Sequence, residues 1–250
     1  MKIEGNGDAR LSVIIPTLNE ARNITETICK LKQVGCRDIL IIDGNSVDGT
    51  VESAERLGAK VVIQHGKGKG AALRQAFGNG YVDGDIIIIL DADGSMDPEE
   101  IPSFVDAIRS GAEIVKGSRF LPKGQSDDIT AMRKVGNKLL VGVLNFLFLT
   151  KYTDLCYGYM AFRKETIKRI FPRLTSKDFE IETEICIRAK ELGIKVAEVP
   201  SFERARRYGT SNLNSFKDGF RILRLIVRES LLGGTLNDIS SFDSASSNMQ

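Results

Sequence analysis

Tryptophan is absent from this chain and histidine occurs once, at His65. A metal site built on several histidines is thereby excluded, and a triad centred on histidine is disfavoured. The four cysteines, Cys29, Cys36, Cys156 and Cys186, show no paired short spacing. They read as buried free thiols of a reducing compartment, not as a disulfide or zinc framework. An excess of one charge is also missing: a net charge of +2 over 250 residues leaves no electrostatic footprint for nucleic acid, and no such partner is expected. No apolar run approaches the ~20 residues needed to span a bilayer, and no signal peptide opens the chain. Cytoplasmic is therefore the expected location. What remains is the composition of a soluble enzyme, long enough to bury the core of one large α/β domain.

The most informative segment that is present runs from Ile86 to Leu90 and into Asp91-Ala92-Asp93. A short, continuous apolar run reads as a strand buried on both faces. Side chains at i and i+2 of a strand point the same way, so the two carboxylates at its end can aim at one point. Two hard oxygen ligands suit Mg²⁺ or a similar divalent ion that also takes substrate phosphates. The location fits, because ligands of open α/β sheets sit outside the carboxyl ends of the strands. The alternative is a pair of solvated turn residues.

Around this strand the pattern alternates. Strands are expected at Leu11–Pro16, Ile39–Ile42, Lys60–Ile63 and Glu113–Val115. Helices are expected from about Asn19, over Thr50–Leu57 with Asp48 as cap, over Ala71–Phe77, and after Asp97-Pro98-Glu99-Glu100, whose cap, proline and first-turn acids mark a helix start. The alternation implies an α/β fold with a Rossmann-like, mostly parallel central sheet flanked by helices. In the second half, 124–128 reads as a mobile loop, Phe179–Leu192 as an amphipathic helix and Val196–Val199 as a last strand, while Leu139–Leu149 is apolar but too short to span a membrane. The expected organisation is a flexible N-terminus at 1–10, one catalytic domain at 11–232 and a disordered, serine-rich tail at 233–250.

Two further strand ends carry polar groups: Pro16 to Glu20 after the first strand and Asp43 after the second. On the shared edge of a parallel sheet a carboxylate can hold a ribose hydroxyl or a base edge. For Asn19 and Glu20 helix capping is the competing role. The run from His65 to Gly70 lacks the spacing of a P-loop. Its glycines still allow close backbone approach, so Lys67 or Lys69 could meet a base or phosphate, with a solvated turn as the alternative.

Taken in order, Pro16-Thr17-Leu18-Asn19-Glu20, Ile42 to Thr50, Lys67-Gly68, Asp91-Ala92-Asp93, Gly117-Ser118-Arg119 and Asp154 to Gly158 resemble the motifs of family 2 glycosyltransferases of the GT-A fold. Among these, the chain looks most like polyprenyl- or dolichyl-phosphate sugar synthases of the dolichyl-phosphate mannosyltransferase type, over roughly residues 11–230. The resemblance implies that Pro16, Asn19, Glu20, Asp43 and Lys67 bind the nucleotide sugar. It implies that Asp91 and Asp93 hold its diphosphate through Mg²⁺ or Mn²⁺. Arg119 and Arg133 match arginines near an acceptor phosphate, Glu184 a carboxylate near the sugar, and Arg206 and Ser211 a loop closing over the pyrophosphate. Three positions depart from the pattern: Gly44 stands where many relatives carry a second aspartate, Ser95 replaces a glutamine, and Asn212 replaces a lysine.

The implied reaction is an inverting, metal-dependent transfer of a hexose from a GDP- or UDP-linked donor to a polyprenyl phosphate at the cytoplasmic membrane face. A phosphate monoester is already anionic near pH 7, its second pKa being about 6, so it needs arginine steering more than a base. A hydroxyl acceptor, as in polysaccharide or glycoside synthesis, would want a carboxylate base, for which Asp154, Glu182 and Glu184 are candidates. A non-catalytic nucleotide-sugar binding protein is the third reading. Peripheral membrane contact is suggested by Lys217, Arg221, Arg224 and Arg228, which share a helical face beside Phe220, Leu223, Val227 and Leu231, with Ile222, Leu225 and Ile226 widening the apolar side. The alternative is a helix packed on the sheet with a solvated basic side.

Overall fold

The computed structural model describes residues 9–209 and 214–246, with side chains through Leu232. In chain order the elements are β1 (Leu11–Thr17), α1 (Ala21–Gln33), β2 (Asp38–Asp43), α2 (Thr50–Arg56), β3 (Lys60–Ile63), α3 (Lys69–Gly78) and β4 (Ile86–Ile89). A 3₁₀ turn at Pro98–Glu100 leads into α4 (Ile101–Arg109), followed by β5 (Ile114–Ser118), β6 (Gln125–Ser126), α5 (Ala131–Phe148), β7 (Met160–Arg163) and α6 (Lys164–Ile170). The chain continues through α7 (Ile181–Glu191), β8 (Val196–Pro200), β9 (Phe202–Glu203) and α8 (Ser215–Ser246).

Seven strands form one sheet in the order β3-β2-β1-β4-β7-β5-β8. All neighbours are parallel except β7, which runs antiparallel to both β4 and β5. Alternation along β1 divides the core: Val13 and Ile15 join Ile24, Ile28 and Phe104 on one face, while Ile14 joins Leu73, Ile181 and Ile185 on the other. Both faces of β4 are buried, as its unbroken isoleucine run requires. A third apolar cluster, with Leu140, Leu144, Ile187, Ile222 and Ile226, joins α5, α7 and α8.

The second half differs from the sequence expectation in several places. The strand β7 and helix α6 lie in and after a stretch with no clear period, because β7 is short and wholly enclosed between two neighbours. The segment 124–128 is not simply a loop, since Gln125 and Ser126 pair with Phe202 and Glu203 in a small parallel sheet. Helix α7 is buried nearly all round, with only Arg188, Lys190 and Glu191 outside its buried set, so it is not amphipathic in the expected sense. Residues 139–148 belong to a single helix, α5, and Leu149 ends it in a left-handed conformation at φ 52°. On α8, Ile222, Leu225 and Ile226 are core against α5 and α7 and do not widen an exposed apolar side, while Phe216, Phe220, Val227 and Leu231 are exposed. All four cysteines are free, but Cys29 is exposed and Cys156 half-buried, against the expectation of burial. Among the described residues no helix is long and apolar enough to cross a membrane.

Candidate active site

The carboxyl ends of β1, β2 and β4 place Thr17, Asp43 and Asp91-Ala92-Asp93 along one edge, as parallel pairing in register demands. The loops beyond these strands are tied to one another. Asn19, at φ 55°, accepts from the Val47 N–H at 3.0 Å through Oδ1, and its own N–H donates to Ser46 Oγ at 2.7 Å. Neither Asn19 nor Glu20 caps α1 with its side chain; Asp48 does, accepting from the Ala21 N–H at 3.0 Å while also accepting from the Thr50 N–H at the start of α2. Asp43 is fully buried and accepts from Thr17 Oγ1 at 2.8 Å and from the N–H and hydroxyl of Ser46, each at 2.7 Å. Pro16 lies within β1 opposite Ile42. Gly44 leaves little room for a second aspartate, because a Cβ there would meet Thr17 O at 3.2 Å.

Each aspartate of the pair at the end of β4 faces a cation. Lys69 Nζ lies 2.6 Å from Asp91 Oδ1 and 2.8 Å from Glu182 Oε1. Arg206 Nη2 lies 2.6 Å from Asp93 Oδ2, and its Nη1 lies 3.1 Å from Glu20 Oε1. Asp93 Oδ1 also accepts from the Ser95 N–H at 3.0 Å. Burial raises the Asp91 carboxyl above its ordinary value against the pull of Lys69, with Asp93 and Glu182 adding to the rise. For Lys69 burial acts downward, but the two carboxylates outweigh it and hold the ammonium above its usual range. Burial likewise raises Glu20 against its bonds to Asn23 and Arg206. Gly158 packs against this pair, since a Cβ there would push on Lys69 Nζ and lie 2.9 Å from Glu182 Oε1.

The segment 204–208 lies across this edge. Arg204 pairs with Asp97, Arg206 with Asp93 and Glu20, Arg207 with Glu26, and the Tyr208 ring sits under Arg22 at 4.1 Å. Ser211 and Asn212 fall outside the described residues.

Other expected site residues stand apart. Glu184 is fully buried and accepts from the N–H of Thr175 at 3.0 Å and of Ser176 at 2.8 Å, with Arg188 Nη2 at 3.5 Å. It braces the loop at 175–176, and Glu182 is the α7 carboxylate that shares Lys69 with Asp91. Arg119 forms a two-point contact with the fully buried Asp154, Nε to Oδ2 at 2.7 Å and Nη2 to Oδ1 at 3.0 Å, and its Nη1 donates to Glu203 at 3.1 Å. Arg133, half-buried at the start of α5, donates from Nε to Ser215 Oγ at 3.2 Å and lies 4.0 Å from Asp128. Lys67 is exposed and lines a cavity bordered by neither aspartate. The grouping of Lys69 with Glu182 was open to sequence reading only as separate candidates; nothing in the spacing joined them.

A mostly parallel sheet of this order with an acid pair at its carboxyl edge is the arrangement of the GT-A fold, and comparison with known proteins agrees. The family model for glycosyl transferase family 2 matches residues 12–171. Dolichol-phosphate mannosyltransferase of Pyrococcus furiosus is 33% identical over 241 residues, covering 93% of this chain and 67% of that protein. Polyprenol monophosphomannose synthase of Mycolicibacterium smegmatis is 32% identical, covering 82% of this chain and 81% of that protein. Among solved structures, glucosyl-3-phosphoglycerate synthase of Mycobacterium tuberculosis, in complex with Mn²⁺, UDP and glucosyl-3-phosphoglycerate, superposes with a TM-score of 0.69 at 22% identity, over 90% of this chain and 79% of that one. The chain belongs to glycosyl transferase family 2. It is a glycosyltransferase of GT-A fold whose relatives include polyprenyl-phosphate mannosyltransferases.

Proposed function

We propose that residues 11–232 form the catalytic unit of an inverting glycosyltransferase that moves a hexose from a GDP- or UDP-linked donor to a polyprenyl phosphate. The observation that carries this is the state of the three carboxylates available to a hydroxyl acceptor. Glu182 is engaged by Lys69, Asp154 by Arg119, and Glu184 by Thr175 and Ser176. An acceptor that arrives already ionised needs none of them. The names of the relatives, synthases and transferases of dolichol- and polyprenol-linked mannose, point the same way.

A divalent ion fits the acid pair. Among the described residues no cluster of three or more metal-ligating side chains exists, and two hard carboxylates suit an ion that takes its other ligands from a diphosphate and water. Asp91 and Asp93 would hold Mg²⁺ or Mn²⁺, which supplies charge neutralisation for the departing nucleoside diphosphate. Lys69 and Arg206, already beside these carboxylates, add positive charge at the same place. Thr17, Asn19, Asp43 and Ser46 fix the loops against which the nucleoside rests. Arg133 and Arg119 present the acceptor phosphate: Asp154 holds the Arg119 guanidinium in a fixed plane, and Nη1 exchanges Glu203 for the phosphate.

Peripheral contact with the cytoplasmic face of a membrane brings the lipid to this edge. Exposed Leu139 and Phe146 on α5, Leu149 at its end, and Phe216, Phe220 and Leu231 on α8 belong to two packed helices that also carry exposed Lys134, Lys138, Lys217 and Arg224.

The test is to incubate the chain with UDP- and GDP-sugars, Mn²⁺ and a short polyprenyl phosphate, and to look for glycolipid. One donor is expected to give product, and both EDTA and Asp93→Ala to abolish it while the circular dichroism spectrum is unchanged. Full activity without metal, or transfer to free sugars and none to lipid phosphate, sinks the proposal.

A further inference from the structure

The start of α3 packs on the segment 175–178, the Ala71 N–H donating to Lys177 O at 3.0 Å. Beside this junction lies a cavity of about 540 Å³ lined by His65, Lys67, Ala71, Arg74, Phe171 and Lys177 among others. None of Pro16, Asn19, Asp43, Asp91 and Asp93 borders it, and no lining residue is acidic. Arg74 Nε is buried without a partner, and its Nη1 makes only a long bond, 3.4 Å, to Thr175 O. Among the described residues neither Lys67 nor Lys177 has a carboxylate within 4.0 Å. Other surface cations do answer acids, as Arg10 does with Asp83, Arg169 with Glu113, Arg207 with Glu26 and Arg221 with Asp178.

We propose that this cavity is an anion subsite for a phosphate-bearing ligand, separate from the aspartate pair at the end of β4. Three cations and a histidine around a concave wall focus positive potential, which repels a cationic ligand. An apolar occupant would desolvate the cationic groups of Lys67, Arg74 and Lys177 without supplying them a charged partner. A phosphate supplies acceptor oxygens to Arg74 and to both ammonium groups through charge-assisted bonds. The volume exceeds what a bare phosphate fills, leaving room for the body that carries it beside Phe171. That body is either a soluble molecule or a lipid headgroup, and the same chemistry serves both. The inference does not rest on the identity of donor or acceptor.

The experiment uses the whole chain in EDTA, with two probes: inorganic pyrophosphate by calorimetry, and vesicles of phosphatidylcholine with phosphatidylglycerol by flotation. Wild type is compared with Lys67→Glu/Lys177→Glu, with Lys177→Gln and with Asp93→Asn. Both lysines are exposed, so the substitutions leave the core untouched. In the pyrophosphate arm the double variant is expected to bind at least tenfold more weakly than wild type, Lys177→Gln in between, and Asp93→Asn like wild type. That result assigns a soluble ligand. A loss confined to the vesicle arm assigns a headgroup. Equal behaviour of wild type and double variant in both arms overturns the proposal. So does a wild type that binds neither probe, or a pyrophosphate affinity that Asp93→Asn removes and the double variant keeps.

Discussion

On α7, Glu182 and Glu184 are separated by two positions and so point about 200° apart around the helix axis. One meets Lys69 beside Asp91, and the other ends in a cage of donors at Thr175 and Ser176. Glu182→Gln is expected to lower transfer about ten- to hundredfold, the loss of one charge-assisted contact, with little change in melting temperature. Glu184→Ala strands two backbone N–H groups and is expected to cost about 2–4 kcal/mol of stability, read by urea denaturation. Asp48 shows how much one loop residue can hold, since it serves the first turns of both α1 and α2. Partial burial pushes its carboxyl up, but the bonds from Thr50 and Ala21 outweigh that and keep it below the ordinary value. Its stabilisation is therefore full above the unfolded carboxyl's value, near 4, and fades as pH falls through the lower folded value. The melting-temperature gap between wild type and Asp48→Asn should shrink below about pH 4.

At the scale of elements, the first half of the molecule was readable because its strands are apolar runs between helix signals. Each of β1 to β4 lies where its pattern predicts, and Asp97 caps its turn as expected, accepting from the Glu99 N–H at 3.1 Å. The second half was less so. Strand β7 is four residues long and reverses the sheet between β4 and β5, a choice made by its neighbours. Beside it, the Arg119 contact joins the end of β5 to the segment carrying Asp154 and to β9. Arg119→Ala leaves the buried Asp154 charge uncompensated and is expected to cost about 3–5 kcal/mol, measured by chemical denaturation. Close approach is equally specific at the start of α3, where a Cβ on Gly70 would lie 2.6 Å from Ser176 O and 2.8 Å from Lys177 C. Backbone must move to admit it, so Gly70→Ala is expected to destabilise by about 1–3 kcal/mol and to disturb Lys69 next to it.

For the molecule as a whole, the packed pair α5 and α8 presents two faces. One closes the third core cluster; the other leaves Phe216 and Phe220 exposed near Lys217 and Arg224. Phe216→Asp/Phe220→Asp is expected to abolish flotation with anionic vesicles while leaving the melting temperature within about 2 °C, since exposed substitutions alter stability little. Unchanged flotation would remove membrane contact from the proposed function. By itself the sequence determined the parallel half of the sheet and the acid pair at its edge, because a strand enclosed on both faces must be a continuous apolar run and its end must emerge where side chains turn polar. Tertiary structure alone decided which charges meet: that Lys69 takes Asp91 and Glu182, that Arg206 takes Asp93, and that Glu184 is spent on the loop at 175–176. Those partners lie up to 113 positions apart in the chain, and only the packing of helices against the sheet brings them within hydrogen-bonding distance.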